Sequence, residues 1–345
     1  MPQVDRLSED PPPPSAPPLL RSTPVDALDP HLQQLVVEIA PGSTATDLGG
    51  WMSRNLLLQP AGLVLRVHPP FVSRRRLLAV QAVRRAVAGS GLTVPVALSR
   101  PAGTGTVFRC GDRWAEVEPY IPHETPPSSW ESYAWMFRAA GTLHRSLSAL
   151  DLRVTRPPTS IFAAPSTLRA WLPTTEAAVA NDPDAAQIAD DLRRLLGRLR
   201  RRWVSPTRLP RHLVHGDVKL DNLGQDPYGE TVFLDFGFVI HRPRIHDLAF
   251  SLTHSVLTVD GGVPTEPGVF PWPRVRHLIE AYEGSTGTSL TALERQALAP
   301  YTVAVRIYHA AYAGFGPSPA EWLHMNVPAI DFSGWLLDHP DALAG

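Results

Sequence analysis

Cysteine, lysine and long apolar runs are scarce in this chain of 345 residues. The single cysteine, Cys110, cannot form an internal disulfide, which fits the reducing environment of the cytoplasm. No apolar run is long enough to span a membrane, and the N-terminus lacks the basic and then apolar pattern of a signal peptide. The formal net charge of −1 argues against a nucleic-acid-binding protein, which usually carries a basic excess. We therefore expect a soluble, cytoplasmic protein with neither a membrane nor a nucleic-acid partner.

The basic residues are 31 arginines and one lysine, Lys219. A Walker A phosphate loop is excluded, because its lysine must follow a glycine and here Val218 precedes Lys219. The G-x-S-x-G motif of α/β-hydrolases and the H-E-x-x-H motif of zinc proteases are also missing. These absences leave the segment around the lysine as the strongest candidate for a catalytic site.

The densest group of reactive side chains is His215-Gly216-Asp217-Val218-Lys219-Leu220-Asp221-Asn222. Asp235-Phe236-Gly237 begins thirteen positions after Asn222. Between them, Asp226 to Gly229 has the residues that a type I turn prefers, and Thr231 to Leu234 is typical of a short strand. We predict a hairpin that brings the side chains of Asn222 and Asp235 close together at its open end.

These residue types suit phosphoryl transfer to a hydroxyl group. Mg²⁺ prefers hard oxygen ligands, which Asn222 and Asp235 can supply. Asp217 is placed to accept the proton of the attacking hydroxyl, and Lys219 to offset charge on the transferring phosphoryl group. The alternative interpretation is a solvated polar loop ahead of a turn.

The pattern H-x-D-x-K-x-x-N followed by D-F-G resembles the protein-kinase catalytic loop. With Gly216 after His215 and no protein-substrate signature downstream, it is more similar to the aminoglycoside phosphotransferase family of small-molecule kinases. The resemblance implies an α+β, bilobal protein-kinase-like fold. It also implies Mg²⁺ as cofactor, ATP or GTP as phosphate donor, a small-molecule acceptor and no obligate protein partner.

The resemblance divides the chain into three segments. Residues 1–30 are rich in proline and read as a disordered tail. Residues 31–122 would form a small, β-rich N-lobe that binds the nucleotide. Residues 123–345 would form a larger, mostly helical C-lobe with the catalytic loop and the acceptor-binding helices. The lobe hinge falls in the polar, proline-rich sequence that follows Pro122 and runs up to Ser129.

Arg66 occupies the third-strand position at which the family carries a phosphate-binding lysine, and arginine can also contact phosphates. An exposed strand arginine is the alternative. In the family a helical glutamate orients this cation, but no acid occurs between Phe71 and Ser99, and Gln81 is the nearest polar candidate.

The remaining nucleotide candidates lie in a loop and at the hinge. A small-residue loop over the phosphates would use Gly49, Gly50, Ser53 and Asn55, although a plain turn explains them equally well. At the hinge, the resemblance implies that backbone groups around Glu118, Tyr120 and Ile121 hold the purine base.

Apolar periodicity predicts the remaining elements. The expected helices are 31–40, 74–90, 130–147, 168–180, 185–203, 275–282, 290–314 and 327–337. The expected strands are 54–58, 63–67, 94–98, 106–110 and 114–120, with a turn at 101–105.

Residues 246–345 carry ten acidic residues and four arginines, a net charge of −6. In the family this region completes the acceptor pocket, so its acidity and aromatic content suit a cationic or ring-bearing acceptor. Polar outer helix faces over aromatic cores explain the same composition.

Three further residues in or near the motifs are expected to have structural roles: His144, His215 and Asp247. Asp247 would cap a helix and tie it to the catalytic loop.

The resulting hypothesis is a kinase that phosphorylates a hydroxyl of an antibiotic, an aminoglycoside or a nucleoside antibiotic, and so confers resistance or self-resistance. The antibiotic acceptor follows from the resemblance alone. Three alternatives stay open: a kinase of a sugar or amino-alcohol metabolite, a nucleotide-binding pseudokinase that regulates a partner, and a metal-dependent hydrolase. The hydrolase would be built from His215, Asp217, Asp235, His241 and His246.

Overall fold

A computed structural model describes residues 22–23, 28–50, 52–99, 105–157, 162–261, 264 and 266–344. Most of the expected proline-rich tail and of the expected turn at 101–105 lies outside these residues. The chain divides into two compact units, one with residues up to Pro70 and Leu98–Tyr120, the other with Phe71–Ala97 and Ile121 onwards. The expected lobe boundary after residue 122 stays a prediction.

The first unit contains an antiparallel sheet with the strand order β1-β2-β3-β4-β6-β5. Leu56, Leu58 and Leu65 are fully buried, because the side chains on one face of the sheet pack into the core of this unit. The strands are β1 (Ser22–Thr23), β2 (Thr44–Asp47), β3 (Arg54–Gln59), β4 (Leu63–Val67), β5 (Phe108–Cys110) and β6 (Arg113–Pro119).

Helix α1 (Pro30–Ile39) supplies the other side of that core. The side chain of Asp29 accepts a hydrogen bond from the backbone N–H of Leu32 (3.1 Å), and proline at the first helical position fits because its missing N–H has no helical partner there. Residues spaced three or four apart are buried, which gives the helix a single apolar face: Leu32, Leu35, Val36 and Ile39.

The second unit is mostly helical. Helices α3 and α7 pack so closely that a Cβ on Gly141 would lie 2.6 Å from the carbonyl oxygen of Tyr282. No helix among the described residues has the length and apolarity needed to cross a bilayer. The helices are α2 (Arg74–Gly89), α3 (Trp130–Ser148), α4 (Pro165–Ala178), α5 (Pro183–Arg202), α6 (Ile245–His254), α7 (Trp272–Thr286), α8 (Ala292–Arg306), α9 (Tyr308–Tyr312), α10 (Pro319–Met325), α11 (Val327–Asp338) and α12 (Asp341–Ala344).

Two short antiparallel hairpins frame the motif segment. Strand β7 (Arg211–Val214) pairs with β10 (Ile240–Pro243), and β8 (Leu223–Gln225) pairs with β9 (Thr231–Phe233). The predicted turn closes the second hairpin, since the N–H of Gly229 donates to the carbonyl of Asp226 (2.9 Å). The hairpin prediction is confirmed.

Two predicted elements differ from the structure. The strand expected over 94–98 is wrong: isolated bridges pair Thr93 with Val232 and Leu98 with Val117, and no ladder joins them. Pro95 has no N–H to donate, which interrupts a strand at this point. The single helix expected over 290–314 is two helices, α8 and α9, with Ile307 between them. The α+β prediction, with a β-rich part and a larger helical part, is confirmed.

Candidate active site

The predicted catalytic loop begins where strand β7 ends. Gly216 has a positive φ of 84°, and a Cβ there would lie 2.5 Å from the carbonyl oxygen of Phe238, so the close approach of these two segments requires glycine. His215 donates from Nε2 to the carbonyl of Leu234 (2.8 Å), and its ring contacts that of Phe236. His215 therefore joins the loop to the D-F-G turn.

The buried carboxylate of Asp247 binds the backbone at the start of this loop. It accepts hydrogen bonds from the backbone N–H groups of His215 (2.9 Å) and Gly216 (3.0 Å) and from the rings of His144 (3.0 Å) and His246 (3.1 Å). Burial by itself raises the pKa of a carboxyl group, but the two histidine hydrogen bonds hold the pKa of Asp247 well below its ordinary value. The predicted tie between Asp247 and the loop is present, although the N-cap residue of α6 is Arg244.

Asp217 and Asn222 form the centre of the site. The amide nitrogen of Asn222 donates to the carboxylate (2.7 Å) and to the backbone carbonyl (2.8 Å) of Asp217. Burial raises the pKa of Asp217 to about 7; Lys219 lowers it and Asp235 raises it. A carboxylate with a pKa near neutrality is suited to accept a proton in catalysis. Lys219 is about one-third exposed, with Nζ 3.8 Å from the carboxylate of Asp221.

Asp235 has the only positive φ (51°) of any non-glycine residue in the described part of the chain. Aspartate tolerates this left-handed conformation better than most residues, and such outliers concentrate at functional sites. Its carboxylate accepts from the N–H of Gly237 (3.3 Å), and the adjacent N–H of Leu234 donates to the carbonyl of Asn222 (3.0 Å). The backbone thus joins the two expected metal-binding positions at the open end of the hairpin.

The donor set fits a hard cation. Because both hydrogen bonds of the Asn222 amide nitrogen go to Asp217, the amide oxygen is the group that Asn222 can offer to a cation. Asp235 adds a half-buried carboxylate. Oxygen donors of this kind suit Mg²⁺ or Ca²⁺, with phosphate oxygens completing the coordination.

Helix α2 also contacts the D-F-G turn, through an arginine that the sequence analysis did not single out. Arg76, in the first turn of α2, donates to the backbone carbonyls of Gly237 (2.8 Å), Val239 (2.6 Å) and Thr155 (2.5 Å). Arg76 is buried, and this burial lowers its pKa to about 10. No local sequence pattern marks Arg76 as the residue that binds this turn, because it is one of three consecutive arginines and its partners are 79 to 163 residues away.

The expected nucleotide-binding side chains Arg66, Ser53, Asn55 and Glu118 lie in the first unit. Arg66 donates to Glu118 (3.4 Å), and both side chains are largely buried. On the same sheet, His68 contacts Glu116 (3.3 Å) and Ser53 (3.3 Å). Helix α2 has no acidic residue that could pair with Arg66. The carboxylate partner of Arg66 is instead Glu118, on strand β6.

The predicted small-residue loop is a defined turn between β2 and β3. Gly49 and Gly50 have positive φ values of 76° and 135°, and a Cβ on Gly50 would lie 2.5 Å from the carbonyl oxygen of Ser53. The amide of Asn55 donates to the carbonyl of Gly49 (2.8 Å), and Asp47 accepts from the N–H of the same glycine (2.8 Å). Trp51, at its tip, lies outside the described residues.

The hinge candidates lie where the two units meet in sequence. In the first unit, the N–H of Tyr120 donates to the carbonyl of Gly62 (2.8 Å). In the second, the carbonyl of Ile121 accepts from His123 (2.7 Å). Neither contact distinguishes between purine bases.

The histidines proposed for a metal-dependent hydrolase are engaged elsewhere. His246 contacts Asp247 through Nδ1 and Arg242 (2.9 Å) through Nε2, and His241 donates to the carbonyl of Leu152 (2.9 Å). Over the described ranges, no group of three or more His, Cys, Asp or Glu side chains is arranged to hold a metal ion. These contacts do not support the hydrolase hypothesis.

Comparison with known proteins identifies the family. The model of the phosphotransferase enzyme family, APH, matches residues 44–278, more than half of the chain. None of the curated proteins matches the sequence.

Three solved structures share the fold. A microcompartment-associated aminopropanol kinase is 15% identical, with a TM-score of 0.69 over 89% of this chain and 97% of that one. An aminoglycoside phosphotransferase from Alicyclobacillus acidocaldarius is 14% identical, with a TM-score of 0.62 over 95% and 97%. An amicoumacin kinase, in complex with AMP-PNP, Ca²⁺ and its ligand, is 14% identical, with a TM-score of 0.60 over 85% and 88%.

The protein-kinase-like fold that the sequence predicted is thereby confirmed. Membership of this family also supports a phosphotransferase that acts on hydroxyl acceptors. On these grounds the chain belongs to the phosphotransferase enzyme family, and it is a kinase of a small molecule.

Proposed function

We propose that the protein transfers the γ-phosphate of ATP or GTP to a hydroxyl group of an antibiotic-like small molecule. The observation that carries the proposal is the buried Asp217, hydrogen-bonded to Asn222 and close enough to Asp235 to be affected by its charge. Family membership implies a nucleotide donor and a divalent metal ion, and the choice of Mg²⁺ and of ATP or GTP belongs to the proposal.

Asp217 would orient the acceptor hydroxyl and take its proton as the oxygen attacks the γ-phosphorus. The bond from that phosphorus to the β-phosphate oxygen breaks, and the nucleoside diphosphate leaves. A pKa near 7 leaves the carboxylate substantially ionised at neutral pH and ready to accept the proton.

Asn222 and Asp235 would hold the metal ion, which when bound supplies charge neutralisation to the phosphate oxygens. Lys219 would offset negative charge on the transferring group, and Arg66 would contact the α- and β-phosphates. Ser53, Asn55 and backbone groups around Glu118, Tyr120 and Ile121 complete the proposed nucleotide site.

The acceptor class is the finer part of the proposal. Similar structures are named for antibiotics, an aminoglycoside and amicoumacin, and others are named for amino alcohols. An antibiotic acceptor, and with it resistance or self-resistance, is therefore proposed ahead of an amino-alcohol or sugar metabolite.

The test is to incubate the protein with Mg²⁺ and ATP or GTP against a mixed panel of antibiotics and hydroxylated metabolites. Mass spectrometry then detects an added phosphate. A phosphorylated antibiotic that disappears with Asp217→Asn supports the proposal, and a product found only among the metabolites overturns the antibiotic assignment.

A further inference from the structure

Helix α6 brings a set of basic side chains next to the catalytic loop. The hydroxyl of Ser251 donates to the carbonyl of Val218 (2.8 Å), which fixes the middle of α6 beside Lys219. His254 lies one turn further along the helix, with its ring 4.3 Å from that of Phe250. The C-terminal end of α6 is thus held in place relative to the catalytic lysine.

Arg306, the last residue of α8, contacts the segment that follows the C-terminal end of α6. Its Nη2 donates to the carbonyl of Leu257 (2.8 Å), three residues beyond His254. Its Nε is buried and has no hydrogen-bond partner, and no carboxylate pairs with it in the described part of the chain. Burial lowers the pKa of Arg306 to about 10, which leaves the guanidinium charged at neutral pH.

Other arginines of this region are satisfied differently. Arg244 is bound by the carboxylate of Glu294 (2.7 Å), and Arg295, on the same helix as Arg306, is bound by Glu283 (2.7 Å). A partly buried cation without a counter-charge is costly, because the desolvation of the guanidinium is not offset by an anion. An anion bound at Arg306 would therefore offset the desolvation cost of its guanidinium group.

His254 shows the same shortage of partners. Its Nε2 is buried and has no hydrogen-bond partner among the described residues. Burial lowers the pKa of His254 to about 3, and the basic side chains of Arg306, Lys219 and His309 lower it further. We call Lys219, His254, Arg306 and His309 the basic cluster.

No acidic side chain described in the C-terminal region pairs with Arg306 or His254. Glu283 and Glu294 are engaged by arginines, and the others whose side chains are described are either buried at the catalytic loop, as Asp247 is, or exposed to solvent: Glu266, Glu280, Glu321, Asp331, Asp338 and Asp341. The net charge of −6 over residues 246–345 therefore favours the interpretation of polar outer faces over that of a cationic acceptor pocket.

We propose that the basic cluster binds an anionic group of the acceptor, a carboxylate or a phosphate ester, while the acceptor hydroxyl lies at Asp217. The inference rests on the proposed phosphotransfer at that residue. Two nitrogens of the cluster, Nε of Arg306 and Nε2 of His254, have no hydrogen-bond partner that such a group would displace, and the charge of Lys219 acts on His254 as well. Anionic acceptors would be favoured over polycationic aminoglycosides, which the cluster repels.

The first experiment measures anion binding to the full-length protein saturated with Mg²⁺ and AMP-PNP, so that the nucleotide site is filled. Acetate, inorganic phosphate and tetramethylammonium are titrated in turn by calorimetry. We expect both anions, or one of them, to bind and tetramethylammonium not to bind. The better of the two anions distinguishes a carboxylate from a phosphate ester.

Variants assign that binding to the cluster. Arg306→Met should weaken anion binding by about 10- to 100-fold, as expected for loss of a charged hydrogen bond, and Arg306→Lys should weaken it less. Arg295→Met is the matched control, because it removes a guanidinium of the same helix that already holds a carboxylate. If Arg306→Met fails to fold, His254→Gln and Arg306→Lys carry the same test.

The second experiment uses acceptors in pairs that differ by the anionic group: glycerate with glycerol, glycerol 3-phosphate with glycerol, and pantothenate with pantothenol. We expect a higher rate of phosphorylation for the anionic member wherever a pair reacts. Equal anion affinity in Arg306→Met and wild type, or tighter binding of tetramethylammonium than of either anion, would overturn the inference.

Failure of the inference is distinguishable from failure of the proposed function. If AMP-PNP binds with Mg²⁺ and the anions do not, the inference fails and the kinase assignment stands. If AMP-PNP does not bind, the proposed function fails, and acetate titration without nucleotide still decides whether the cluster binds anions.

Discussion

At the scale of single residues, two opposing influences act on the ionisation of Asp217. It is buried, which opposes ionisation, and it is hydrogen-bonded by Asn222, which favours it. The balance places its pKa at about 7, the range that serves a proton acceptor at physiological pH. Asp247, equally buried, is surrounded by donors and stays ionised, so the two carboxylates have separate tasks.

The first prediction concerns Asp217 itself. Asp217→Asn preserves the size of the side chain but cannot accept the hydroxyl proton, so turnover should fall by about 10²–10⁴ while nucleotide affinity changes little. Steady-state kinetics with the identified acceptor and AMP-PNP titration measure the two quantities. Glu230→Gln is the control, since Glu230 is exposed and its removal should leave turnover near normal. Normal turnover in Asp217→Asn would remove Asp217 from the mechanism.

The second prediction concerns the ion pair of Arg66 and Glu118. Glu118 holds the guanidinium in place from strand β6, so Glu118→Gln should weaken nucleotide binding several-fold and Arg66→Met more strongly, by about 10-fold or more. In a double-mutant cycle, Glu118→Gln should have little further effect once Arg66 is methionine.

Nucleotide dissociation constants from calorimetry give the coupling between these two residues. Glu116→Gln, whose side chain contacts His68, is the neighbouring control on the same strand. Additive effects of Arg66→Met and Glu118→Gln would show that Glu118 does not act through Arg66.

At the scale of elements, helix α2 differs from the helix that the resemblance led us to expect. It has no acidic residue to offer to Arg66, and its polar contribution is Arg76, which binds three backbone carbonyls around the D-F-G turn. Because Gly237 follows Asp235 by two residues, α2 acts on the proposed metal-binding position through the backbone.

The third prediction follows from those three hydrogen bonds. Arg76→Met leaves the carbonyls of Gly237, Val239 and Thr155 without their donor, which should cost on the order of 3 kcal/mol of stability. With the turn less well held, the apparent affinity for Mg²⁺ should also fall. Urea unfolding and the Mg²⁺ dependence of turnover measure these effects. Arg75→Met, at the exposed adjacent position, should change neither. Unchanged Mg²⁺ dependence in a folded Arg76→Met protein would contradict the positioning role.

The elements also show how far a sequence predicts this protein. Apolar periodicity located most helices to within a few residues, because each has one buried face. The spaced polar residues indicated a candidate catalytic loop, because phosphoryl transfer requires fixed residue types. The strand expected over 94–98 is absent, because the apolar pattern takes no account of Pro95, which has no N–H to donate. Arg76, Glu118 as the partner of Arg66, and the cluster at His254 depend on contacts between distant segments, for which local pattern gives no signal.

At the scale of the whole molecule, several histidines are buried in the second unit and held neutral. Burial lowers the pKa of His212 to about 4 and that of His254 to about 3, and it also lowers the pKa values of His215 and His246. In the unfolded chain each would titrate near pH 6.5. Between these values the unfolded state binds more protons than the folded state.

The fourth prediction is that stability is lost on acidification in that window. The stability that the protein gains by keeping His212 neutral is fully present above about pH 6.5 and is lost as the pH falls towards 4, and the loss should amount to about 2 kcal/mol at pH 5. The free energy of unfolding, measured in urea without nucleotide at pH 7.5 and at pH 5, should therefore fall. His212→Gln, which cannot be protonated, should lose about 2 kcal/mol less than wild type over this range. His277→Gln removes an exposed histidine and should follow wild type, so equal losses in all three proteins would show that burial of His212 is not linked to the acid sensitivity.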